Sequence, residues 1–210
     1  MPLGIDVDKY VYGSSSKAAF CSFHKISDSV TIIGMIARFH DQKRFPLFFE
    51  MARILLDDSP NYHFVLAGDS VTESNNELKR LIISNNLSGH CLLLGEVHDV
   101  KQIFSSIDIM VSTSAGESFS LVLLESLMSS VPSIASKNAD PQNFIGKNGI
   151  KLEKNADAQS FASAVKKIKA MGLTPGSEKG IENRQELCDR YSISVMANNY
   201  LKIYKSLSDI

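Results

Sequence analysis

From residue 29 onward, short apolar segments alternate with segments of helical periodicity, and this alternation is the strongest constraint on the fold. The first segment, residues 30–37 (VTIIGMIA), is apolar and rich in β-branched residues, which is typical of a strand buried on both faces. Residues 43–56 follow with apolar side chains at helical spacing. Repetition of this order with short connections favours right-handed crossovers and a parallel sheet covered by helices on both sides. The sequence therefore predicts a three-layer, doubly wound α/β fold of the Rossmann-like kind.

The sequence pattern predicts that the chain has three parts. Residues 1–29 are predicted to be an irregular lead-in or interdomain linker, with residues 13–16 as a loop. Residues 30–171 form the sheet domain, and residues 172–210 a linker followed by one C-terminal crossover helix over 181–207. Further strands are predicted at residues 62–68, 91–95, 107–112, 132–136 and 149–152, and further helices at residues 73–84, 97–106, 118–130 and 157–171.

The composition excludes several classes of protein. With 44% hydrophobic residues, the 210-residue chain can form one large globular domain, and disorder is excluded. The 22 Lys and Arg residues are balanced by 23 Asp and Glu residues, so we expect no general attraction to nucleic acid or anionic lipid. The three cysteines form no Cys-x-x-Cys motif and the five histidines lack zinc-type spacing, so no metal site is predicted. We expect neither a signal peptide nor a membrane helix, which predicts a cytoplasmic protein with at most peripheral association with the inner face of the cytoplasmic membrane.

Two cations follow the first predicted strand. Arg38 and Lys43 lie where the chain leaves the sheet and enters a helix. Parallel sheets bind ligands beyond the carboxyl ends of their strands, and a helix N-terminus favours anions there. Because the helix dipole disfavours positive side chains at that end, a bound diphosphate would account for both cations. Two solvated surface cations are the alternative interpretation.

Two glutamates flank the start of the helix that follows the fourth strand. Glu117 lies in the strand-to-helix turn, where helix capping alone could account for its carboxylate. Glu125 is the only charged residue between Glu117 and Lys137, in a segment that is otherwise largely apolar. An unpaired buried carboxylate is costly, so Glu125 must have a partner or reach a wet cleft. Hydroxyl groups of a sugar or ribose, or a nearby cation, would meet this requirement.

Backbone groups at the same strand ends add to this candidate site. Four N–H groups lie at the predicted helix start and could donate to phosphate oxygens, those of Ser118, Phe119, Ser120 and Leu121. Gly68 ends the second strand and places a permissive residue at the rim, where a ligand's base or sugar would lie.

These residues resemble those of a known family. Glu117 and Glu125, with seven residues between them, resemble the paired-glutamate signature of the retaining glycosyltransferases of family 4. Arg38 and Lys43 match that family's Arg and Lys after the first strand of the donor domain. The similarity extends from PLGIDVDKY, which looks like the family's interdomain linker, to RYSISVMANNYLKIY, which looks like its closing helix. The chain is therefore expected to be the C-terminal, donor-binding half of an enzyme with the two-domain, B-type glycosyltransferase fold.

The resemblance implies a role for each matching residue. Arg38 and Lys43 would bind the diphosphate and stabilise the departing nucleotide. Glu117 would lie beside the donor sugar, and Glu125 would hold the ribose hydroxyls. Three amides would contact phosphate and sugar, those of Phe119, Ser120 and Leu121. The donor would carry UDP or GDP, and neither a metal ion nor another cofactor would be required.

The resemblance also implies the reaction and its setting. A hexose-type sugar would pass from the NDP-sugar to a glycan or lipid-linked acceptor in the synthesis of surface polysaccharide or lipopolysaccharide. An N-terminal domain absent from this chain would bind the acceptor, so the chain alone would be incomplete and inactive.

The sequence departs from the family pattern at three positions. Ser118 stands where the family usually has Gly, Ser120 where it has Gly or Pro, and Thr113 where Pro is common. The two serine side chains would either crowd the phosphates or add hydroxyl donors. Two other functions therefore stay open: a noncatalytic nucleotide-binding or docking module that needs a partner protein, and half of a nucleotide-sugar epimerase, against which the paired glutamates argue.

Overall fold

Six parallel strands form one sheet in the computed structural model, which describes residues 3–10 and 15–208. The strands are β1 Thr31–Ile36, β2 Tyr62–Ala67, β3 Cys91–Leu93, β4 Ile109–Ser112, β5 Ser133–Ser136 and β6 Gly149–Leu152. Their spatial order is β3-β2-β1-β4-β5-β6, and every pairing is parallel. The predicted α/β class and parallel sheet are therefore confirmed.

Helices connect these strands and cover both faces of the sheet. In the described ranges they are α1 Ser15–His24, α2 Phe45–Asp58, α3 Asn76–Ser84, α4 Lys101–Phe104, α5 Leu121–Met128, α6 Ala158–Ala170, α7 Glu178–Tyr191 and α8 Ile193–Ser208. Helix α4 is much shorter than the predicted segment 97–106. A 3-10 turn over Asp41–Lys43 precedes α2.

The order of the strands reverses beside β1. The chain builds outward from β1 through β2 to β3 and then returns to place β4 on the other side of β1. Gly34 of β1 lies opposite Val65 of β2 and Met110 of β4. Crossovers that leave in opposite directions open a crevice at the carboxyl ends of the two central strands. The loops that follow β1 and β4 therefore meet at this crevice.

Successive residues of the central strands are buried on opposite faces of the sheet. Ile33 of β1 packs with Phe48 of α2 and Phe161 of α6 on one face. Its neighbour Ile32 packs with Phe104 of α4 on the other face, where α1, α5 and α7 also lie. Both faces of the central strands β1, β2 and β4 are buried, which is why these strands are apolar along nearly their whole length rather than alternating. This arrangement confirms the predicted three layers.

The prediction of an irregular lead-in over residues 1–29 is wrong for its second part. Helix α1 covers residues 15–24, so Ser15 begins a helix rather than continuing a loop, while Gly13 and Ser14 lie outside the described residues. The Lys17 ammonium lies 2.6 Å from an Asp108 carboxylate oxygen, which also accepts from the N–H of Ile32 at 2.7 Å. Contacts to the sheet rather than helical periodicity hold α1 in place, and a short local pattern cannot reveal them.

The prediction of one C-terminal helix over 181–207 is also wrong. Two helices, α7 and α8, meet at Ser192, whose backbone is extended with φ −67° and ψ 151°. The N-terminal segment, residues 3–10, pairs with the backbone at this break. The N–H of Ile5 donates to the carbonyl of Tyr191, and the N–H of Ile193 donates to the carbonyl of Ile5. Because the carbonyl of Tyr191 accepts from another segment, the helix is interrupted at that point. Helix α7 also begins inside the predicted linker 172–180, at Glu178.

Substitution of Gly68 by alanine is expected to destabilise the fold strongly. Gly68 has φ +143°, and a Cβ atom there would collide with the carbonyl oxygen of Ala37 at the end of β1. We expect Gly68→Ala to lower the free energy of unfolding by about 3 kcal/mol, the upper end for single substitutions. Urea denaturation measures this loss.

Gly89→Ala is the matched control. Gly89 also has a positive φ, +81°, but nothing lies within 4 Å of its Cβ position. Backbone strain alone should cost about 1 kcal/mol there. Equal losses for the two variants would show that the contact with Ala37 has no effect.

Candidate functional site

A cavity of about 380 Å³ opens at the carboxyl ends of β1 and β4. Its walls are the ends of these two strands, the loops that follow them and the first residues of α5. This volume lies within the range of small-molecule sites, roughly 300–1,000 Å³. The cavity also lies where the strand order reverses, which is the usual ligand position in open parallel sheets.

Most of the predicted site residues line this cavity. The six that do are Arg38, Lys43, Glu117, Phe119, Ser120 and Leu121. Outside the lining are Gly68, Ser118 and Glu125. The loops after β1 and β4 thus come together as the sequence predicts, and the three other residues have neighbours of their own, described below.

Lys43 and Glu117 form an ion pair inside the cavity. The Lys43 Nζ atom lies 2.5 Å from Glu117 Oε1, and the two side chains are only 18% and 16% exposed. Glu117 therefore does not cap α5, and Lys43 is not a solvated surface cation. An ion pair that is largely shielded from water is stronger than an exposed one, so each charge holds the other in place.

Hydrogen bonds between the two loops fix the backbone beneath this ion pair. The hydroxyl of Thr113 donates to the carbonyl of Lys43 at 2.7 Å. The N–H of Ala115 donates to the carbonyl of Gln42 at 2.8 Å, and the Gln42 side chain donates to Gly116. Thr113 was notable in the sequence only as a departure from the family pattern. The structure gives it a positioning role that proline, without a hydroxyl, could not have.

Arg38 lies at the mouth of the cavity as an exposed cation. It has no hydrogen-bond or ion-pair partner within residues 3–10 and 15–208. A guanidinium offers five N–H donors in a planar arrangement suited to phosphate and carboxylate groups. Arg38 therefore adds uncompensated positive charge beside the Lys43–Glu117 ion pair.

The start of α5 presents free N–H groups to the cavity. The helix begins at Leu121, three residues after its predicted start, and Ser120 is its N-cap residue. The Ser120 hydroxyl makes no capping hydrogen bond, although the residue is only 8% exposed. No described residue accepts from the N–H groups of Ser118, Phe119, Ser120 or Leu121. Such a helix start carries partial positive charge and is suited to an anion.

Phe119 anchors this turn to the core. Its ring packs edge-on against Phe144 with centroids 5.2 Å apart and against Tyr191 of α7 at 6.0 Å. The side chain thus points into an aromatic cluster while the residue still lines the cavity. Aromatic packing holds the turn in one conformation, so its amides are oriented before any ligand binds.

The loop after β5 supports the turn from the other side. The N–H of Glu117 donates to the carbonyl of Asn138 at 2.9 Å, and the Gln142 side chain donates to the carbonyl of Ser118 at 2.6 Å. Asp140 is fully buried and accepts two N–H groups of the same loop. Burial raises the pKa of Asp140, while these hydrogen bonds and Lys151 lower it. Ser118 therefore contacts this loop rather than the cavity.

Glu125 has a partner that the sequence did not identify. The hydroxyl of Tyr10 donates to Glu125 Oε1 at 2.8 Å. Burial raises the pKa of Glu125, and the hydrogen bond from Tyr10 partly opposes that increase. Tyr10 lies 115 residues away in the predicted linker, where no local pattern marks it as part of a site.

Gly68 supports the site without lining it. Its N–H donates to the carbonyl of Gly95 at 2.7 Å, and its missing side chain allows the backbone of Ala37 to approach closely. Gly68 thus packs against the backbone of Ala37 and Arg38.

Within residues 3–10 and 15–208, no helix is long and apolar enough to cross a membrane. In the same ranges, no three His, Cys, Asp or Glu side chains are grouped so that they could hold a metal ion.

Residues 30–170 match the family model described as glycosyl transferases group 1. The chain belongs to this family. The resemblance predicted from Arg38, Lys43 and the paired glutamates is thereby confirmed at the level of the family.

Curated relatives of this chain include glycosyltransferases of two bacteria. The lipopolysaccharide core biosynthesis glycosyltransferase LpsE of Rhizobium meliloti is 27% identical over 184 residues, which cover 86% of this chain and 51% of that protein. The poly(ribitol-phosphate) alpha-N-acetylglucosaminyltransferase of Staphylococcus aureus is 24% identical over 83% of this chain and 35% of its own length. The chain thus spans about half, or less, of the curated relatives that it matches.

Solved structures share the fold. The C-terminal domain of a group 1 glycosyl transferase, LpcC of Francisella tularensis, superposes with a TM-score of 0.74 at 23% identity, over 90% of this chain and all of that one. Anabaena HepE in complex with UDP-glucose gives a TM-score of 0.80 at 19% identity, over 99% of this chain and 56% of that one. At these identities the likeness establishes the fold alone.

Replacement of Glu125 by glutamine is expected to stabilise the fold at neutral pH. Burial raises the pKa of Glu125 above its ordinary value of 4.5, so the ionised carboxyl disfavours folding. This penalty is fully present above the raised pKa and disappears below 4.5, where folded and unfolded chains are both protonated. Glutamine can still accept from Tyr10 without carrying charge.

Thermal denaturation between about pH 4 and about pH 8 checks this prediction. Glu125→Gln should melt a few degrees above the wild type at the upper end and converge with it at the lower end. Glu50→Gln, at an exposed position on α2, is the control and should show no such convergence. A stabilisation that grows as the pH falls would contradict the prediction.

Proposed function

We propose that this chain is the donor-binding half of a retaining glycosyltransferase. It binds an NDP-sugar, with UDP or GDP as the nucleotide, and the complete enzyme passes a hexose-type sugar to a glycan or lipid-linked acceptor in surface polysaccharide or lipopolysaccharide synthesis. The observation that carries this proposal is the free N–H start of α5, which shares one cavity with Arg38 and Lys43.

The diphosphate would bind to these donors. Amides at a helix start and cationic side chains make charge-assisted hydrogen bonds, each contributing about 1.5–3 kcal/mol. The Lys43 ammonium has three N–H donors, so it can keep Glu117 and still donate to a phosphate oxygen. Arg38 has no described partner to give up. We expect no metal ion to be required, because these groups can neutralise the diphosphate.

Transfer would depend on electrostatic stabilisation of the leaving diphosphate. Negative charge grows on the phosphate oxygens as the bond to the sugar breaks, and fixed donors stabilise that charge more than they stabilise the intact donor. Glu117, held by Lys43 beside the phosphate site, would face the sugar as positive charge develops on it. The hydrogen bonds from Thr113 and Gln42 keep both groups in position during this step.

The acceptor would bind to a part of the enzyme other than this cavity. Relatives such as LpsE extend over roughly twice the length that this chain matches. We therefore expect this chain alone to bind a nucleotide sugar without transferring its sugar, and transfer to require an N-terminal domain.

Nucleotide binding tests this proposal directly. At about ten times its dissociation constant, UDP or GDP should raise the melting temperature of the chain by roughly 3–6 °C. Arg38→Ala and Lys43→Ala should each abolish the increase, because each removes a cation from the phosphate site. Arg80→Ala removes an exposed cation on α3, outside the cavity, and should leave the increase unchanged.

The outcomes separate the proposal from its rivals. Absence of any increase with UDP, GDP or their sugars at millimolar concentration would overturn it. Binding without transfer, even when an N-terminal domain and acceptor are supplied, would favour a noncatalytic nucleotide-binding module. Interconversion of two nucleotide sugars would favour an epimerase.

A further inference from the structure

Glu125 and Tyr10 form a contact between α5 and the segment of residues 3–10. The phenol O–H donates to Glu125 Oε1 at 2.8 Å. Glu125 lies one helical turn after Leu121, which lines the cavity, so both residues share one face of α5. Glu125 itself does not line the cavity; it lies on the same face of α5 as Leu121, one turn farther along the helix from the free amides.

Arg184 of α7 holds the backbones on both sides of this contact. Its Nε donates to the carbonyl of Met128, the last residue of α5, at 2.9 Å and to the carbonyl of Tyr10 at 3.3 Å. Its Nη2 donates to the carbonyl of Val7 at 3.0 Å. One guanidinium thus joins the helix that carries Glu125 to the segment that carries Tyr10. These backbone contacts hold the Tyr10 and Glu125 side chains within hydrogen-bond distance of each other.

Tyr10 provides only one of the hydrogen bonds that the Glu125 carboxylate can accept. An ionised carboxylate accepts about four hydrogen bonds and donates none. Among the described residues only the Tyr10 hydroxyl donates a hydrogen bond to it, and neither Lys nor Arg forms an ion pair with it. Oε2 is left without a described donor in a half-buried position. A neighbouring pair of hydroxyl groups would satisfy it.

We propose that Tyr10 is a positioning residue for ribose recognition: it fixes one oxygen of Glu125 so that the rest of the carboxylate accepts from the two ribose hydroxyls of the donor nucleotide. This inference rests on the proposed function, because it requires that the cavity bind a nucleotide. It assigns a role to a residue of the predicted linker, which the sequence placed outside the site.

The substitution Tyr10→Phe isolates this role. The Tyr10 ring packs against two hydrophobic clusters of the core, and phenylalanine keeps that packing while removing the donor. Without the phenol, the Glu125 side chain can change rotamer, and part of its affinity for the ribose is lost as conformational entropy. We expect UDP to bind about tenfold more weakly, the size of one hydrogen bond to a charged group.

Calorimetric titration of the full chain with UDP and with 2′,3′-dideoxy-UDP tests the proposal. The wild type should prefer UDP, and Tyr10→Phe should lose most of this preference while binding the dideoxy analogue as the wild type does. In a Glu125→Gln background, Tyr10→Phe should have little further effect on the preference. The amide oxygen still accepts from Tyr10, but an NH2 group replaces the Oε2 acceptor, so little preference for the ribose hydroxyls is left for Tyr10 to support. Tyr62→Phe, at the amino end of β2 and therefore at the opposite end of the strands from the cavity, is the matched control and should change neither affinity.

Each other result has a distinct meaning. If the wild type binds neither UDP nor GDP, the proposed function fails and this inference fails with it. If the wild type binds UDP and its dideoxy analogue equally well, Glu125 does not bind the ribose, and only the inference is overturned. Equal weakening of both ligands by Tyr10→Phe would make Tyr10 merely structural. Tighter UDP binding by Tyr10→Phe would show that the Tyr10 hydroxyl competes with the ribose for Glu125. Either of these two results for Tyr10→Phe overturns the inference.

Discussion

The position of β4 next to β1 is the constraint on which the rest of the structure depends. Two strands and their helices separate β1 from β4 in sequence, yet the sheet places them side by side. The loops that follow them therefore leave the sheet at one point. Lys43 and Glu117, 74 residues apart, reach ion-pair distance there, and Thr113 and Gln42 join the same two loops. The cavity, its charges and the start of α5 all follow from this adjacency.

The strands could be predicted because their environment is uniform. A strand buried on both faces is apolar along most of its length, as β1 and β2 are, and that pattern is visible without knowledge of its neighbours. Helix starts were predicted less well. Helix α5 begins at Leu121 rather than Ser118 because Gln142 holds Ser118 and an aromatic cluster holds Phe119, and both partners are distant in sequence. Contacts of that kind leave no local signal.

The candidate site was predictable in its residue types but not in its pairings. The sequence showed that a lone glutamate in an apolar segment needs a partner, and the structure supplies Tyr10. From the sequence, Lys43 and Glu117 were interpreted as separate features, whereas in the structure they form an ion pair. Gly68 was placed at the ligand rim because a glycine there is permissive, but a close approach between two strand ends accounts for it. The residue pattern therefore predicts which chemical groups a site contains more readily than it predicts which of them contact one another.

The Arg184 contacts also bear on the order of folding. The guanidinium of Arg184 joins the carbonyl of Val7 across 177 residues, so this contact closes almost the whole chain into a loop. The entropy cost of closing a loop grows with its length, and it falls once intervening structure has brought the two ends together. The segment of residues 3–10 should therefore dock only after the sheet and α7 have formed. Glu125 gains its hydroxyl partner in that last step, so the sheet and its cavity can exist before the carboxylate beside them is fixed.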